Sequence, residues 1–598
     1  MKKTFWILVL CQMSLYAQTT TTAIDSPLFT SKSSNWKIVK DVNVNIDEKN
    51  SLSYTPGLGV LLCEHQQGKY GMEYELFSKQ EHGDMDIEFD FMMAKGSNSG
   101  FYLQSRYEIQ LFDSWGVKTP KYYDCGGIYE RWKENNPEGE KGYEGYAPRV
   151  NVCKAPGLWQ HMKISFQAPR FNPEGKKIAN AKILFITLNG VLIHENVELS
   201  GVTRGSISET EVAKAPFRIQ GDHGSIAFRN IYINDFDKTP GSLTDLNYKV
   251  YYGSYMHDAD LSKIKIDESG KTNELTWEVT KNTNDYVFVI NGKYNAPTAG
   301  KYTFTTQMAG NSTLKVDGKQ ILGNNWTVSG QTREASIDLT AGEHSIELFN
   351  NKRDGWLKPV LGFWSAGPGF RATAHHSLGS TIASKGADPI IINANTNTTL
   401  RSFMDFKKNP TDKNFRIVHA ISVGSPSQIH YTYDLDKGTI LQVWKGNFLD
   451  ATPMWNDRGD GSSVPLGSVT VFNHDLTLSK PNLALPVDTS GSAYRPLGYT
   501  LDENDLPTFK YEIYGTKVSD AIKVVEEKYL AREISLSNAN DLVAKVAEGK
   551  IIEEVAKGLY AIDDKSYFIK TSQQAEVKNN NELYIRPENN KISYQILF

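Results

Sequence analysis

NSGFYLQSRYEIQLFDSWG, residues 98–116, alternates residue by residue from Gly100 onward. Phe101, Leu103, Ser105, Tyr107, Ile109 and Leu111 are apolar or small, and Tyr102, Gln104, Arg106, Glu108 and Gln110 stand between them. A period of two belongs to a β-strand, whose successive side chains point to opposite faces. Read as one strand, the segment offers one face to a core and one face rich in hydrogen-bonding groups. The polar face then lies either in open solvent or along a cleft.

The same pattern spreads outward. From about residue 35 to 236, short alternating segments such as DMDIEFDFMM and GLWQHMKISFQA recur without helical runs between them. AKILFITLNGVLIHENVEL contains Asn-Gly, the strongest short hairpin signal. RWKENNPEGEKGYEGYAP (131–148) is a long polar loop of the kind that borders binding sites on rigid sheets. Many strands joined by polar turns imply a sandwich or jelly roll. Residues 237–246, DKTPGSLTDL, read as a linker, and a second all-β unit follows over 247–372. After a Gly-containing joint, HHSLGSTIASKGADP, a third β-sandwich-like unit covers 390–598. Within it, 518–530 and 541–557 carry helix-like charge patterning, but their β-branched content assigns them as strands.

The 598 residues exceed what one core can serve and suggest about three or four domains. The 30 tyrosines, 26 phenylalanines and 47 glycines suit β-rich domains. A net charge of −4 with interspersed signs and no basic block argues against nucleic acid or an anionic membrane as partner. The opening MKKTFWILVLCQMSLYA has the basic start, short apolar core and small final residue of an export signal, so residues 1–17 read as a signal peptide and 18–34 as a flexible leader. No later segment is apolar for long enough to span a bilayer as a helix. The expected location is the periplasm or outer surface of a Gram-negative-type bacterium. In an oxidising compartment Cys125 and Cys153 are candidate disulfide partners, leaving Cys63 free; three small buried thiols are the other reading.

Taken together, NSGFYLQSRYEIQLFDSWG, CGGIYERW, APRVNVCKAPGLWQHMKISFQAPRF, LNGVLIHENVEL and APFRIQGDHGSIAFRNIYI resemble the 3-keto-disaccharide hydrolase family. The resemblance covers nearly all of residues 35–236 and implies a concanavalin-like jelly roll acting on glycosides already oxidised at C3. A C3 ketone acidifies the hydrogen on C2, so a base can remove it and the enolate can expel the C1 substituent, with water adding afterwards. Such chemistry needs a positioned base, an acid for the leaving oxygen and donors near the enolate oxygen. It does not need the paired carboxylates of ordinary glycosidases.

With the resemblance, the polar face of the opening strand reads as the sugar cleft. Glu108 is the candidate base, with Tyr102, Gln104, Arg106 and Gln110 as substrate-binding neighbours. In FRIQGDHG (217–224), Arg218 and Gln220 are further binding candidates, and His223 beside Asp222 is a candidate proton carrier near neutral pH. Asp86, Glu88 and Asp90 share a face but read as a solvated row. Trp159 and Tyr129 read as core before sugar platforms. No cofactor is expected and no metal ligands are assigned, although a divalent metal is left open. The substrate would be an oxidised oligosaccharide or glycoside, and a separate sugar 3-dehydrogenase would act upstream, because no Gly-x-Gly-x-x-Gly follows a strand here. A non-catalytic, multidomain glycan-binding protein is the alternative, since both functions would use one cleft.

APTAGKYTFTTQMAGNSTLKVDGKQIL, LTAGEHSIELFNN and LGFWSAGPGF resemble the carbohydrate-associated β-sandwich of anthrax protective antigen. Members that hold sugar through calcium use paired aspartates. Asp317 stands here without an adjacent partner, which argues against that mode. In the third unit Trp444, Trp455 and Arg458 could floor a pocket, with burial of the tryptophans in a sandwich the preferred reading.

Overall fold

The computed structural model describes residues 19–21, 28–383, 387–407, 413–456, 461–481, 488–539 and 541–598. The expected signal peptide, part of the leader, and Arg458 lie outside them. Strand follows strand, with one four-residue α-helix, Thr452–Trp455, among the described residues. The tertiary contacts divide the chain into two compact units, one of residues 20–233 with 387–598 and one centred on 234–386.

The first unit opens with a jelly-roll sandwich. One sheet runs in the order Phe29–Ser31, Leu76–Ser78, Arg218–Ile219, Asn98–Leu103, Tyr107–Phe112. The facing sheet has Gln160–Gln167, Met85–Met93 and Ile226–Asp235 at its centre. Alternation fills the space between them: Ile87 and Phe89 from one side meet Phe101, Ile109, Phe217 and Ile219 from the other. Phe101 stacks on Phe89 at 5.2 Å and on Phe217 at 4.9 Å between ring centroids, which ties the hairpin strand to both neighbours. Asn189 and Gly190, both with positive φ, close the expected two-residue turn between Ala181–Leu188 and Val191–Leu199. The end of the leader departs from expectation. Phe29–Ser31 is an edge strand, because Phe29 packs its ring at 6.0 Å from Phe217.

Residues 387–598 build further sheets, the largest running from Arg495–Leu501 through Tyr529–Leu536 and Lys591–Leu597 to Ile552–Ala556. The segments with helix-like charge are strands, as their β-branched residues suggested. A buried polar cluster braces this core. Arg532 donates to both oxygens of Asp520 at 2.9 and 2.6 Å and to the Tyr594 hydroxyl at 2.9 Å, and Tyr433 donates to Asp520 at 2.8 Å. Trp444 is buried, whereas Trp455 is 45% exposed, because the short helix turns it out of the sandwich.

The jelly roll and the C-terminal region keep separate cores yet pack on each other. Ile46, Ala155 and Leu158 meet Leu559, Phe568 and Leu597. Lys565 pairs with both oxygens of Asp41 at 2.9 and 2.8 Å, and the buried Lys445 ammonium donates to the Cys153 carbonyl at 3.2 Å. All three cysteines of the described residues are buried and unbonded, with Cys125 and Cys153 within hydrogen-bonding reach of each other.

The second unit is its own sandwich. A sheet including Ser242–Tyr252, Tyr286–Ala296, Gly342–Lys352 and Lys319–Thr327 faces one formed by Arg333–Leu339, Gly300–Met308, Leu361–Gly367 and Phe370–Ala374. Phe288, Tyr294, Phe304 and Phe363 fill the interior.

Candidate active site

The segment 98–112 is a hairpin, not a single strand. Asn98–Leu103 and Tyr107–Phe112 pair antiparallel about a tight turn in which Gln104 and Ser105 both have positive φ, 50° and 54°. The Arg106 N–H closes the turn on the Leu103 carbonyl at 2.9 Å. Two successive left-handed residues make the turn whose twist matches a hairpin. Gln-Ser is an unusual pair for it, which is why the alternation reads straight through in the sequence.

The turn removes two of the five residues from the expected face. Gln104 instead donates its amide to the carbonyls of His82 (3.2 Å) and Ala213 (3.0 Å). Arg106 donates to the Thr210 carbonyl at 2.7 Å and the Gln104 carbonyl at 2.8 Å. Both side chains therefore tie down backbone around the hairpin tip. Tyr102, Glu108 and Gln110 do share a face: Tyr102 lies directly opposite Glu108, and Gly100 opposite Gln110. Gly100 is needed there, because a Cβ would stand 2.2 Å from Glu108 Oε1.

The neighbouring strand brings Arg218 opposite Tyr102. Its guanidinium lies 3.7 Å over the Tyr102 ring, its Nη2 donates to the Gly205 carbonyl at 2.6 Å, and its Nε stands 3.4 Å from Glu75 Oε2. The positive charge of Arg218 acts on both Glu75 and Glu108, although of the two only Glu75 is in ion-pair contact with it. Glu108 is 3% exposed and Arg218 1%, so the floor of the site is dry, not an open trough. Burial pushes the Glu108 carboxyl up to about 8, with the Tyr102 hydroxyl and Arg218 pulling the other way. Burial likewise pushes Glu75 up to about 7 against the attraction of Arg218.

The solvent side is formed by His223, Gln220 and Tyr129, all partly exposed. His223 Nδ1 meets Asp222 Oδ1 and lies 3.2 Å from the Gln220 amide nitrogen. The hydrogen bond that His223 donates to Asp222 holds the histidine pKa above the ordinary imidazole value despite partial burial. Burial alone would raise Asp222, but His223 and the Gly71 N–H, donating at 2.8 Å, bring it below its usual value. The Tyr70 ring rests 5.3 Å from that of His223. Among the described residues no three His, Cys, Asp or Glu side chains converge as metal ligands.

Glu75 and Tyr70 escape a sequence reading. They come from a loop and strand start far along the chain from 98–116, and no periodicity marks them. The row Asp86, Glu88 and Asp90 lies on the outer side of the other sheet. Ser165, Lys163 and His161 engage these three in turn. Trp159 is buried beneath the Arg229 guanidinium at 4.0 Å.

The architecture is that of a jelly roll with a buried carboxylate site. Residues 26–234 match the family model of the 3-keto-alpha-glucoside-1,2-lyase-like domain, and residues 250–367 match that of the PA14 domain. The expected pair of domains is therefore present in the expected order. No curated protein matches the chain. Among solved structures, one from Parabacteroides distasonis ATCC 8503, provisionally described as a glycosyl hydrolase, is 22% identical over 34% of this chain and 79% of its own, with a TM-score of 0.22. Another from the same organism, described in the same way, is 15% identical over 36% of this chain and 96% of its own, with a TM-score of 0.20. A β-glucosidase of Kluyveromyces marxianus in complex with glucose is 15% identical over 17% of this chain and 14% of its own, with a TM-score of 0.14.

Proposed function

We propose that the jelly roll cleaves 3-keto-glycosides, by hydrolysis or by C2-proton removal and elimination of the C1 substituent followed by hydration. The observation that carries this reading is Glu108, a buried carboxyl lifted to about 8 with a histidine–aspartate pair on its solvent side. A base whose affinity for protons lies near the working pH both exists in ionised form and accepts a proton readily. Glu108 takes the C2 hydrogen. His223, kept partly cationic by Asp222, gives a proton to the leaving C1 oxygen. Arg218 directs its donors to the Gly205 carbonyl, the Met72 sulfur and Glu75 and lays its face over Tyr102, so its part is to hold the carboxyl pair in place of binding the sugar directly. Gln220 and Tyr129 are placed to hydrogen-bond the sugar.

The near-complete burial of Tyr102, Glu108 and Arg218 is the one feature favouring the other reading, a glycan-binding protein in which these groups are only a polar core. Incubating the full chain with a 3-keto-glucoside in deuterium oxide separates the two. An enzyme exchanges the C2 hydrogen and releases the aglycone, both visible by proton NMR; a binder does neither. The Glu108→Gln variant should lose the exchange, and exchange at the wild-type rate would remove Glu108 from the mechanism. The reading also calls for a separate 3-dehydrogenase to make the substrate, and for export of the chain by its N-terminal segment.

A further inference from the structure

In the C-terminal region, the outer face of the largest sheet forms a trough of about 930 Å³, within the range of about 300–1,000 Å³ usual for ligand sites. Strand register sets its floor. Ala521, Glu533 and Ser593 stand opposite one another on three adjoining strands, and Lys523, Ala531, Gln595 and Lys570 form the next row. Alternation sends the residues between them, Ile522, Arg532 and Tyr594, into the core. The small side chains leave the space and the long ones border it.

The far wall is fixed by hydrogen bonds. Thr571 N–H donates to the Gly558 carbonyl at 2.9 Å, and the Thr571 hydroxyl donates to the Ser593 carbonyl at 2.9 Å. The Gln573 side chain continues the ladder past the strand end. It accepts from Ser593 N–H at 2.6 Å and donates to the Lys591 carbonyl at 3.0 Å. This shape is therefore held by the backbone ladder and its extension.

The charges select the ligand. Both acids of the trough are engaged: Glu533 pairs with Lys591 at 3.0 Å, and Glu554 accepts from Gly558 N–H at 2.8 Å. Lys570 faces the jelly roll's Asp47 at 3.5 Å. Lys523 and Lys557 are exposed, and neither has an ion-pair partner among the described residues; Lys523 acts on Asp502 only at a distance. The surplus is positive, so the complement is an anion. A sheet face offers no free strand edge, so an extended peptide has nothing to pair with. Tyr560, the trough's one outward aromatic candidate, is 7% exposed and gives nucleobases no stacking surface. Gln595 and Ser593 supply amide and hydroxyl groups of the kind that bond sugar hydroxyls.

We propose that this trough binds an acidic saccharide, a chain bearing carboxylate or sulfate groups that meet Lys523 and Lys557. It is built from other strands than the jelly-roll carboxyl site, and its test does not depend on that site being catalytic.

Fluorescence anisotropy of the full chain at about 0.1 M salt provides the test. The labelled probes are oligogalacturonate, dextran sulfate, a laminarin oligosaccharide and oligothymidylate. At least one of the first two should bind more tightly than the last two. Binding of oligogalacturonate alone assigns a carboxylate, and binding of dextran sulfate alone a sulfate. Lys523→Ala and Lys557→Ala should each weaken that binding about two- to fivefold, the size of one exposed ion pair. Ala531→Trp, which adds no charge but fills the floor, should weaken it about tenfold or more. Lys319→Ala, in the second unit, should leave it unchanged, and the thermal midpoints of the lysine variants should match the wild type. Binding of neither acidic probe, equal binding of the laminarin oligosaccharide or of oligothymidylate, or undiminished binding by the Lys523→Ala/Lys557→Ala double variant would each overturn the site.

Discussion

Glu108→Gln should stabilise the protein while abolishing its proposed activity, and the gain should grow with pH. The folded state lifts the Glu108 carboxyl from its ordinary 4.5 to about 8 through burial. Between those values the unfolded chain carries an ionised Glu108 and the folded chain a protonated one. The folded state thus binds one more proton, and stability falls as pH rises through that window, by about 1.4 kcal/mol per pH unit. Across the whole window the ceiling is about 5 kcal/mol, which water entry and side-chain relaxation will reduce. Glutamine keeps the shape and still accepts from Tyr102, but cannot ionise. Urea unfolding of wild type and variant, run in parallel at steps from about pH 5 to pH 8, measures the difference. The two should nearly coincide at the acidic end and diverge steadily above it. Parallel curves, or a variant less stable at pH 8, would refute the buried-carboxyl account and with it the tuned base.

Asp222→Asn removes the carboxylate charge behind the hydrogen bond that raises His223. The alkaline limb of the pH–rate profile for 3-keto-glucoside cleavage should therefore move to lower pH, and an unmoved limb would exclude His223 as the acid. Gly100→Ala forces a Cβ to within 2.2 Å of Glu108 Oε1. It should cut the C2 exchange rate by about tenfold or more through misplacement of the base, an effect of the size that displacements near 1 Å produce. In the C-terminal core, Arg532→Met strands the buried Asp520 carboxylate, and denaturation should show a loss of about 3–5 kcal/mol. A loss below about 1 kcal/mol would mean that Asp520 neutralises or rehydrates at little cost.

The class of fold was legible in the residues themselves. Period-two alternation in segments such as 84–93 and 181–199 follows from the pleat, a local property, and the Asn-Gly at 189–190 carries its own turn geometry. The inward faces, Ile87 and Phe89 against Phe101 and Ile109, were likewise written in the alternation. Two things were not. A left-handed pair at Gln104-Ser105 has no strong residue signature, so the sequence shows a strand where the chain turns back. The partners of Glu108 also come from the other strands and from loops: Glu75, Arg218 and the Asp222–His223 pair are brought together only when the sheet assembles in the order of its hydrogen bonds.

Local chemistry therefore determined which residues form strands and which of their faces are apolar, since those depend on near neighbours alone. Tertiary structure decided which polar side chains meet and how dry their meeting place is. The proton affinity of Glu108 is set by desolvation and by charges distant in the chain, and no span of sequence contains that information.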